Sequence, residues 1–163
     1  MKKNIYLAGG LFNAAERVHN IHLEECLKEI VKHDRKIILP QREASKFLKN
    51  DKFDINAVKK ACKKHASDPD NICVICADGS DTDSGASVEY GIAITATKKA
   101  VVYRTDFRTD FKKELGMNSM LTLEGTKIIY LPCYFTEIFQ VRVFYYKLAK
   151  KILKAIEELE KTF

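Results

Sequence analysis

The stretch Ile72-Cys73-Val74-Ile75-Cys76-Ala77, followed at once by Asp78-Gly79-Ser80, decides the fold. Its first six residues carry no charge and show no alternation of apolar with polar side chains. Such a run predicts a strand that is buried on both faces, as in the centre of a parallel sheet. We therefore expect an α/β protein with this strand in the middle of its sheet.

Strand and helix patterns alternate on both sides of this central strand. Strands are predicted at 5–8, 36–40, 100–103 and 127–131, and helices after Asn13, at 54–66, from Ser84 or Gly85 to Ala96, and at about 136–161. This order demands parallel strands joined by right-handed crossovers. The expected fold is a doubly wound five-stranded parallel sheet in flavodoxin-like order, in one domain over 1–163. Flanking helices, a long C-terminal helix and a loop over 104–126 with one helical turn complete it.

Size and composition limit the class of protein. The chain has 163 residues, 46% hydrophobic and 31% charged, which suits one folded domain. No apolar run approaches the roughly 20 residues of a membrane-spanning helix, so no membrane partner is expected. The five cysteines are an odd number without the spacing of a disulfide scaffold. That usage favours a reducing, cytoplasmic location without disulfides.

Charge is distributed unevenly along the chain. The net charge of +6 is 28 basic minus 22 acidic residues, yet the segment 66–96 holds no Lys or Arg. Its carboxylates are Asp68, Asp70, Asp78, Asp81, Asp83 and Glu89. Because this segment offers phosphates only repulsion, we expect uncharged ligands there. The lysines of the last helix, at 147, 150, 151 and 154, are interpreted as a solvated face, and no nucleic-acid partner is expected.

The topology points to one edge of the sheet as the site. In doubly wound sheets, ligands bind outside the carboxyl ends of the strands, where the strand order switches, which selects 6–13, 78–89 and 104–118. There Glu89 lies in or just after the first turn of a helix, where the helix dipole stabilises an anion. A carboxylate held in this way suits a nucleophile. Tyr6, on the first strand, is placed to orient it by a hydrogen bond, with a half-buried core tyrosine as the open alternative.

Other motifs argue against cofactors and metals. Gly9-Gly10 lacks the third spaced glycine of a dinucleotide site, so no nicotinamide cofactor is expected. Gly79 precedes the alternating acids, which is not the order of a calcium loop. Cys73 and Cys76 have the spacing of a metal knuckle, but residues three apart on a strand point to opposite faces. His19 and His22 are expected at the surface. We therefore expect no metal.

Four segments together resemble the nucleoside 2-deoxyribosyltransferase family. They are Ile5-Tyr6-Leu7-Ala8-Gly9-Gly10-Leu11-Phe12, Asp83-Ser84-Gly85-Ala86-Ser87-Val88-Glu89-Tyr90-Gly91-Ile92-Ala93, Tyr103-Arg104-Thr105-Asp106-Phe107-Arg108 and Asn118-Ser119-Met120-Leu121. The resemblance runs from about residue 4 to residue 131. It implies exchange of the base of a 2'-deoxynucleoside for a free purine or pyrimidine base, through a covalent deoxyribosyl-enzyme ester.

The resemblance also implies roles for single residues. Glu89 is the nucleophile, Tyr6 holds it, and Asp83 is the acid that faces the sugar and the base. Asn118 completes the site of a neighbouring subunit, which implies a homo-oligomer. Gln41 is a looser match to a base-contacting glutamine.

Three more residues are candidates for substrate binding. Gly10 and Asp78 lie in the two turns that border the expected site. Phe12, at its mouth, is placed to stack on a flat aromatic ligand, although a core phenylalanine is the commoner outcome.

The chain departs from the family at one point. Members usually carry another aspartate on the helix before the central strand, where this chain has Lys60 or Cys62. Without that aspartate, Asp78 or Asp83 is the group expected to transfer the proton to the leaving base.

Two alternatives remain open on sequence. One is a hydrolase acting on 2'-deoxynucleosides or their 5'-monophosphates, for which Arg104 and Arg108 are the candidate phosphate ligands, although pairing with the acidic loop is their expected role. The other is a phosphoacceptor signalling domain with Asp78 as acceptor. It would need an acid pair after the first strand and a lysine after the last, where this chain has Gly9-Gly10 and Pro132-Cys133.

Overall fold

The computed structural model describes residues 2–107 and 116–161; Arg108 lies outside this part of the chain. In chain order its elements are β1 (Asn4–Ala8), α1 (Ala14–Val31), β2 (Ile37–Ile38), α2 (Pro40–Ser45), β3 (Leu48–Lys49), β4 (Lys52–Phe53), α3 (Ile55–Ser67), β5 (Asn71–Cys76), α4 (Ser84–Thr97), β6 (Ala100–Arg104), a 3₁₀ turn (Ser119–Thr122), β7 (Thr126–Tyr130) and α5 (Ile138–Lys161).

Five strands form one parallel sheet in the order β2-β1-β5-β6-β7. β5 lies in its centre, and five of its six residues are buried. This is the flavodoxin-like order, so the expected fold class is confirmed. The strand order reverses between β1 and β5, because the chain goes outward from β1 to β2 on one side and from β5 to β6 on the other.

Helices cover both faces of the sheet. α1 and α5 pack on one face, against side chains such as Val74, and α3 and α4 pack on the other, against side chains such as Tyr6. Side chains alternate along a strand, so Cys73 faces α3 and α4 whereas Cys76 packs on the side of α1 and α5. The two thiols therefore point to opposite faces, as expected.

Side-chain caps begin the two helices that border the reversal of strand order. Asn13 and Glu16 form a reciprocal capping box at the start of α1, as their spacing predicts. At the start of α4, Oδ1 of Asp83 accepts a hydrogen bond from the N–H of Ala86 at 2.8 Å. This cap turns the acidic loop into a helix and fixes the direction of the Asp83 carboxylate.

Two small elements between β2 and α3 are absent from the sequence-based prediction: α2 and the antiparallel pair β3–β4. Pro40 begins α2, where a missing N–H leaves no helical hydrogen bond unmade. Asn50 and Asp51 have φ angles of 48° and 58°, the left-handed pair that a two-residue hairpin turn requires. Strands of two residues are too short for a periodic pattern, so the sequence does not reveal them.

The longest helix, α5, has 24 residues, and charged side chains are interspersed among apolar ones along its length. Across residues 2–107 and 116–161, no helix combines the length and the apolar character that crossing a bilayer requires.

Candidate active site

A crevice opens at the carboxyl ends of β1 and β5, where the strand order reverses. It holds a cavity of about 450 Å³. Its walls include Gly10 after β1, His19 and Asn20 on α1, and Asp78 and Asp83 after β5. Doubly wound sheets bind ligands at this place, so the structure brings two of the three selected segments together where a ligand is expected.

Tyr6 and Glu89 meet on the face of the sheet that α3 and α4 cover. The Tyr6 hydroxyl donates a hydrogen bond to Oε1 of Glu89 at 2.7 Å, although the residues are 83 positions apart. Tyr6 is 1% exposed, and its ring stacks on that of His65 with the centroids 5.5 Å apart. The half-buried carboxylate is therefore held by a donor that packing itself keeps in place.

Burial dominates the electrostatics of Glu89. Loss of hydration raises the pKa of its carboxyl, and the charge of Asp83 raises it further, whereas interactions with Tyr6 and Cys62 lower it. The net direction is upward. Glu89 is the sixth residue of α4, just after its first turn as expected, and burial there outweighs the groups that stabilise the anion.

The two candidate acids differ in how their oxygens are used. Asp78 accepts hydrogen bonds at both: Oδ1 from the N–H groups of Thr105 and Asp106, and Oδ2 from the Thr105 hydroxyl. Oδ1 of Asp83 accepts the N–H of Ala86, and in the part of the chain that the structure describes its Oδ2 accepts none. Asp78 therefore ties the loops after β5 and β6 together, whereas Asp83 keeps an oxygen for a ligand.

The Arg104 side chain is buried, and its donors bind other groups of the chain. Its guanidinium donates to the carbonyl oxygens of Ala77 at 2.8 Å and Gly79 at 2.9 Å, and it pairs with Asp106 at 2.8 Å. The side chain is 2% exposed. Arg104 therefore braces the start of the acidic loop through backbone carbonyls, and it pairs with Asp106 rather than with a carboxylate of that loop. It does not line the crevice as a phosphate ligand would.

Gly10 and Phe12 lie in the turn between β1 and α1. A Cβ on Gly10 would lie 2.6 Å from the carboxyl carbon of Glu16, so a larger residue in this wall would displace the Glu16 side chain from the capping box. Phe12 is 82% exposed, which excludes the core position that the sequence left open. It lies two residues after Gly10 but does not itself line the crevice, so stacking of its ring on a ligand stays a prediction.

Gln41 is buried at the start of α2 rather than exposed in the crevice. Its side-chain oxygen accepts a hydrogen bond from Asn20 at 3.2 Å, and its nitrogen donates to the backbone carbonyl of Arg17 at 3.3 Å. Asn20 also donates to the carbonyl of Gly10 at 3.0 Å. In this chain Gln41 thus supports the wall of the crevice through Asn20.

Asn118 lies on the other side of the acidic loop. It is exposed, and its Oδ1 accepts the N–H of Met120 at 2.9 Å, which begins the 3₁₀ turn. It lines a second cavity of about 600 Å³, and Ser80 and Asp81 form a wall of both cavities. Within one chain, Asn118 and Asp83 therefore face different cavities. The part of Asn118 in a neighbouring subunit's site stays a prediction.

With this geometry established, the chain can be compared with known proteins. The family model described as nucleoside 2-deoxyribosyltransferase matches residues 5–120, which is more than half of the chain. The chain belongs to the nucleoside 2-deoxyribosyltransferase family. Enzymes of this kind are glycosyltransferases, so membership leaves the phosphoacceptor alternative without support.

Solved structures share the fold of this nucleoside 2-deoxyribosyltransferase family member. A conserved protein from Enterococcus faecalis V583 is 20% identical with a TM-score of 0.68, covering 97% of this chain and 99% of that one. A 2-deoxyribosyltransferase from Bacillus psychrosaccharolyticus is 20% identical with a TM-score of 0.56, covering 85% and 90%. An oxidoreductase from Corynebacterium diphtheriae is 9% identical with a TM-score of 0.50, covering 96% and 97%. No curated protein sequence matches the chain.

His19 and His22, which the sequence places at the surface, are both half-buried. Nε2 of His19 lies 2.8 Å from the Tyr103 hydroxyl and Nδ1 lies 2.9 Å from the Tyr145 hydroxyl, while His22 stacks on the Tyr145 ring. Burial lowers the pKa of His19. The sequence carries a signal for this: His19 precedes the core residue Leu23 by four positions, on the buried stripe of α1.

His19, Cys76 and Asp78 bring three ligand-type atoms within 4.8 Å of one another. A metal would have to displace existing hydrogen bonds, because both ring nitrogens of His19 face tyrosine hydroxyls and both oxygens of Asp78 accept donors. Burial also raises the pKa of the Cys76 thiol to about 12, which disfavours the thiolate that binds metals. We interpret the cluster as a hydrogen-bonded part of the crevice wall.

Proposed function

We propose that this protein transfers a 2-deoxyribosyl group between nucleobases through a covalent ester on Glu89, with retention of configuration at C1'. The observation that carries the proposal is the half-buried Glu89 carboxylate, held at 2.7 Å by the Tyr6 hydroxyl at the reversal of strand order. Membership of the family and the likeness to the 2-deoxyribosyltransferase from Bacillus psychrosaccharolyticus support the reaction class.

The first displacement transfers the 2-deoxyribosyl group from the donor base to Glu89. An oxygen of ionised Glu89 forms a bond to C1' as the bond from C1' to the base nitrogen breaks, through an oxocarbenium-like state. The electron pair of the broken bond stays on the base, which takes a proton from an acid. Tyr6 occupies Oε1 of Glu89, so we assign the attack on C1' to Oε2.

The second displacement releases the product nucleoside. A nitrogen of the incoming base attacks C1', Glu89 leaves as a carboxylate, and the proton of the incoming base returns to the acid. Each displacement inverts C1', so the two together retain its configuration. Water competes with the incoming base, and hydrolysis follows wherever water reaches the ester.

We assign the proton transfer to Asp83 rather than Asp78. Three hydrogen-bond donors hold Asp78 as an acceptor at both oxygens. A proton on Oδ2 of Asp83 would leave the cap on Ala86 intact, since the cap uses Oδ1. Asp83 is also close enough to Glu89 for its charge to raise the pKa of the Glu89 carboxyl. This interaction supports Asp83 as the acid for a base whose sugar sits on Glu89.

The walls of the crevice support unphosphorylated substrates. Its acidic lining residues are Glu16, Asp78, Asp81 and Asp83, and no Lys or Arg lines it among the described residues. These carboxylates repel the negative charge of a 5'-phosphate bound in the crevice. The substrates we propose are neutral 2'-deoxynucleosides and free bases, and deoxyadenosine should be a better donor than its 5'-monophosphate.

A base-exchange assay tests the proposed reaction. The protein is incubated with deoxyinosine, with and without free adenine, and the products are separated by chromatography. Deoxyadenosine that forms only with adenine supports transfer. Hypoxanthine and free deoxyribose in equal amounts in both tubes would instead show hydrolysis and overturn the transfer step. Glu89→Ala should abolish both reactions, and unchanged turnover in that variant would refute the assignment of the nucleophile.

A substrate that needs no acid tests the role of Asp83. The base of 7-methyl-2'-deoxyguanosine is already cationic and leaves without taking up a proton. Asp83→Asn should therefore lose far more activity with deoxyinosine than with the methylated donor. Asp78→Asn, the matched control, should affect both donors equally. Equal losses in Asp83→Asn would remove Asp83 from the proton transfer.

A further inference from the structure

The His19 ring bridges two tyrosine hydroxyls in the wall of the crevice. Its Nε2 lies 2.8 Å from the Tyr103 hydroxyl on β6, and its Nδ1 lies 2.9 Å from the Tyr145 hydroxyl on α5. His19 and Tyr145 line the crevice, whereas Tyr103 does not and is 2% exposed. The proposed mechanism uses none of the three side chains. The positions of their protons determine what Tyr145 offers to a ligand.

The Tyr103 hydroxyl determines which nitrogen of His19 accepts a hydrogen bond. In the part of the chain that the structure describes, Nε2 of His19 is the hydrogen-bond partner of this hydroxyl. The Cys76 thiol also interacts with Tyr103, but a thiol sulfur is a weak acceptor compared with an imidazole nitrogen. A buried hydroxyl proton without an acceptor is costly. Tyr103 therefore donates to Nε2.

The proton of His19 is then on the other nitrogen. Since Nε2 accepts, a neutral His19 carries its one ring hydrogen on Nδ1 and donates it to the Tyr145 oxygen. A doubly protonated ring would leave the buried Tyr103 hydroxyl without its acceptor, and burial also lowers the pKa of His19. The Tyr145 oxygen thus accepts from His19 and keeps its own hydrogen. Among the described residues, no side chain or carbonyl accepts that hydrogen.

We propose that the Tyr145 hydroxyl is a base-contacting donor, oriented by His19, that binds the carbonyl oxygen of a base such as hypoxanthine. The inference rests on the proposed function in one respect, since it takes the crevice as the nucleoside site. His19 and Tyr103 are positioning residues in it, because they act on the ligand through Tyr145.

The other groups of the crevice favour a carbonyl oxygen as the partner of Tyr145. Four of the residues that line the crevice are acidic: Glu16, Asp78, Asp81 and Asp83. Ionised carboxylates only accept hydrogen bonds, so they suit the hydroxyls of deoxyribose and the amino group of adenine, which donate. A carbonyl oxygen only accepts, and it needs a donor in the wall. A base with a carbonyl group therefore gains the contact with Tyr145, and adenine does not.

Free bases test this contact without turnover. Hypoxanthine and adenine differ in whether the purine ring carries a carbonyl or an amino group, and their binding is measured by calorimetry. Tyr145→Phe should weaken the binding of hypoxanthine about 2- to 10-fold and leave that of adenine within about twofold of the parent value. Tyr146→Phe is the matched control. It removes a hydroxyl from the next residue of α5, which does not line the crevice, and should change neither affinity.

Two results of this measurement would overturn the inference: unchanged binding of hypoxanthine in Tyr145→Phe, or equal weakening of both bases. A contact with the sugar has a different signature. It would lower kcat/KM equally for deoxyinosine and deoxyadenosine and leave the binding of free bases unchanged, which would also overturn the assignment. A base contact lowers kcat/KM for deoxyinosine more than for deoxyadenosine.

The position of the His19 hydrogen can be measured in the unaltered protein. In protein labelled with ¹⁵N-histidine, the chemical shifts of the two ring nitrogens report which one carries hydrogen, and the His19 signals are those lost in His19→Asn. We expect the hydrogen on Nδ1. A hydrogen on Nε2 would make Tyr145 the donor to the ring and overturn the inference.

Failure of this inference can be distinguished from failure of the proposed function. Absence of base exchange, with the difference between hypoxanthine and adenine binding intact in Tyr145→Phe, would count against the proposed transfer and leave this inference standing. If the parent protein bound neither base, both would be overturned.

Discussion

Tyr6→Phe is the substitution that most directly tests the proposed nucleophile. It removes one hydroxyl and with it the 2.7 Å hydrogen bond to Oε1 of Glu89, while the ring that stacks on His65 is kept. Hydrogen bonds to charged groups contribute about 1.5–3 kcal/mol, and about 1.4 kcal/mol corresponds to one pKa unit. The pKa of Glu89 should therefore rise by about one to two units in the variant.

The sign of the effect follows from which form the hydrogen bond favours. Tyr6 lowers the pKa of Glu89 against the raising effect of burial, so its loss leaves more of the carboxyl protonated at any acidic pH. The acid limb of kcat/KM should move to higher pH by the same one to two units. Below that limb, activity at a fixed pH should fall by about tenfold per unit, and it should recover as the pH is raised.

Stability provides an independent check. A carboxyl whose pKa is raised on folding contributes stability that is fully present below its unfolded pKa and is lost as the pH rises through the folded value. Because Tyr6→Phe raises the folded value further, the variant should lose more stability at pH 8 than at pH 4. Urea denaturation at the two pH values measures this difference.

Tyr90→Phe is the matched control for both measurements. Tyr90 is also buried, and its hydroxyl bonds to Thr126 at 2.8 Å and to the N–H of Leu123 at 3.0 Å rather than to Glu89. Its loss should lower stability similarly at both pH values and leave the acid limb in place. The reasoning would be refuted if the acid limb of kcat/KM stayed in place in Tyr6→Phe, or if it moved by the same amount in Tyr90→Phe.

Three other substitutions test the structure around the site. Glu89→Gln should abolish turnover yet stabilise the protein by about 0.5–2 kcal/mol in urea at pH 8, because it removes a desolvated charge; a loss of stability there would contradict the burial argument. Arg104→Met removes the buried ion pair with Asp106 and the donors to the Ala77 and Gly79 carbonyls, so it should cost about 3–5 kcal/mol; a cost below about 1 kcal/mol would show that the brace is dispensable. Gly125 has a φ of 88°, and a Cβ there would lie 2.0 Å from the Lys98 carbonyl oxygen, so Gly125→Ala should lower Tm clearly. Gly91→Ala, whose Cβ would meet nothing within 4 Å, is its control, and equal Tm values for the two variants would contradict the clash.

The order of the five sheet strands and of the long helices follows from the sequence alone, as does the edge of the sheet at which we place the site. The uncharged run over 72–77 predicts the central strand, and the alternation of patterns around it predicts the parallel sheet that the structure confirms. Caps such as Asn13 are equally local, because a capping side chain bonds to backbone only three residues away. Family membership likewise rests on segments that can be read in order along the chain.

The tertiary structure decided how each side chain at that edge is used. Arg104 turns inward, Gln41 supports a wall through Asn20, and His19 is enclosed by two tyrosines. The upward direction of the Glu89 pKa likewise depends on the tertiary structure. Each depends on neighbours that are distant in sequence, and on how much water those neighbours exclude. Local periodicity determines which face of an element is buried, but hydration and partners at a given atom are set by the elements packed across from it.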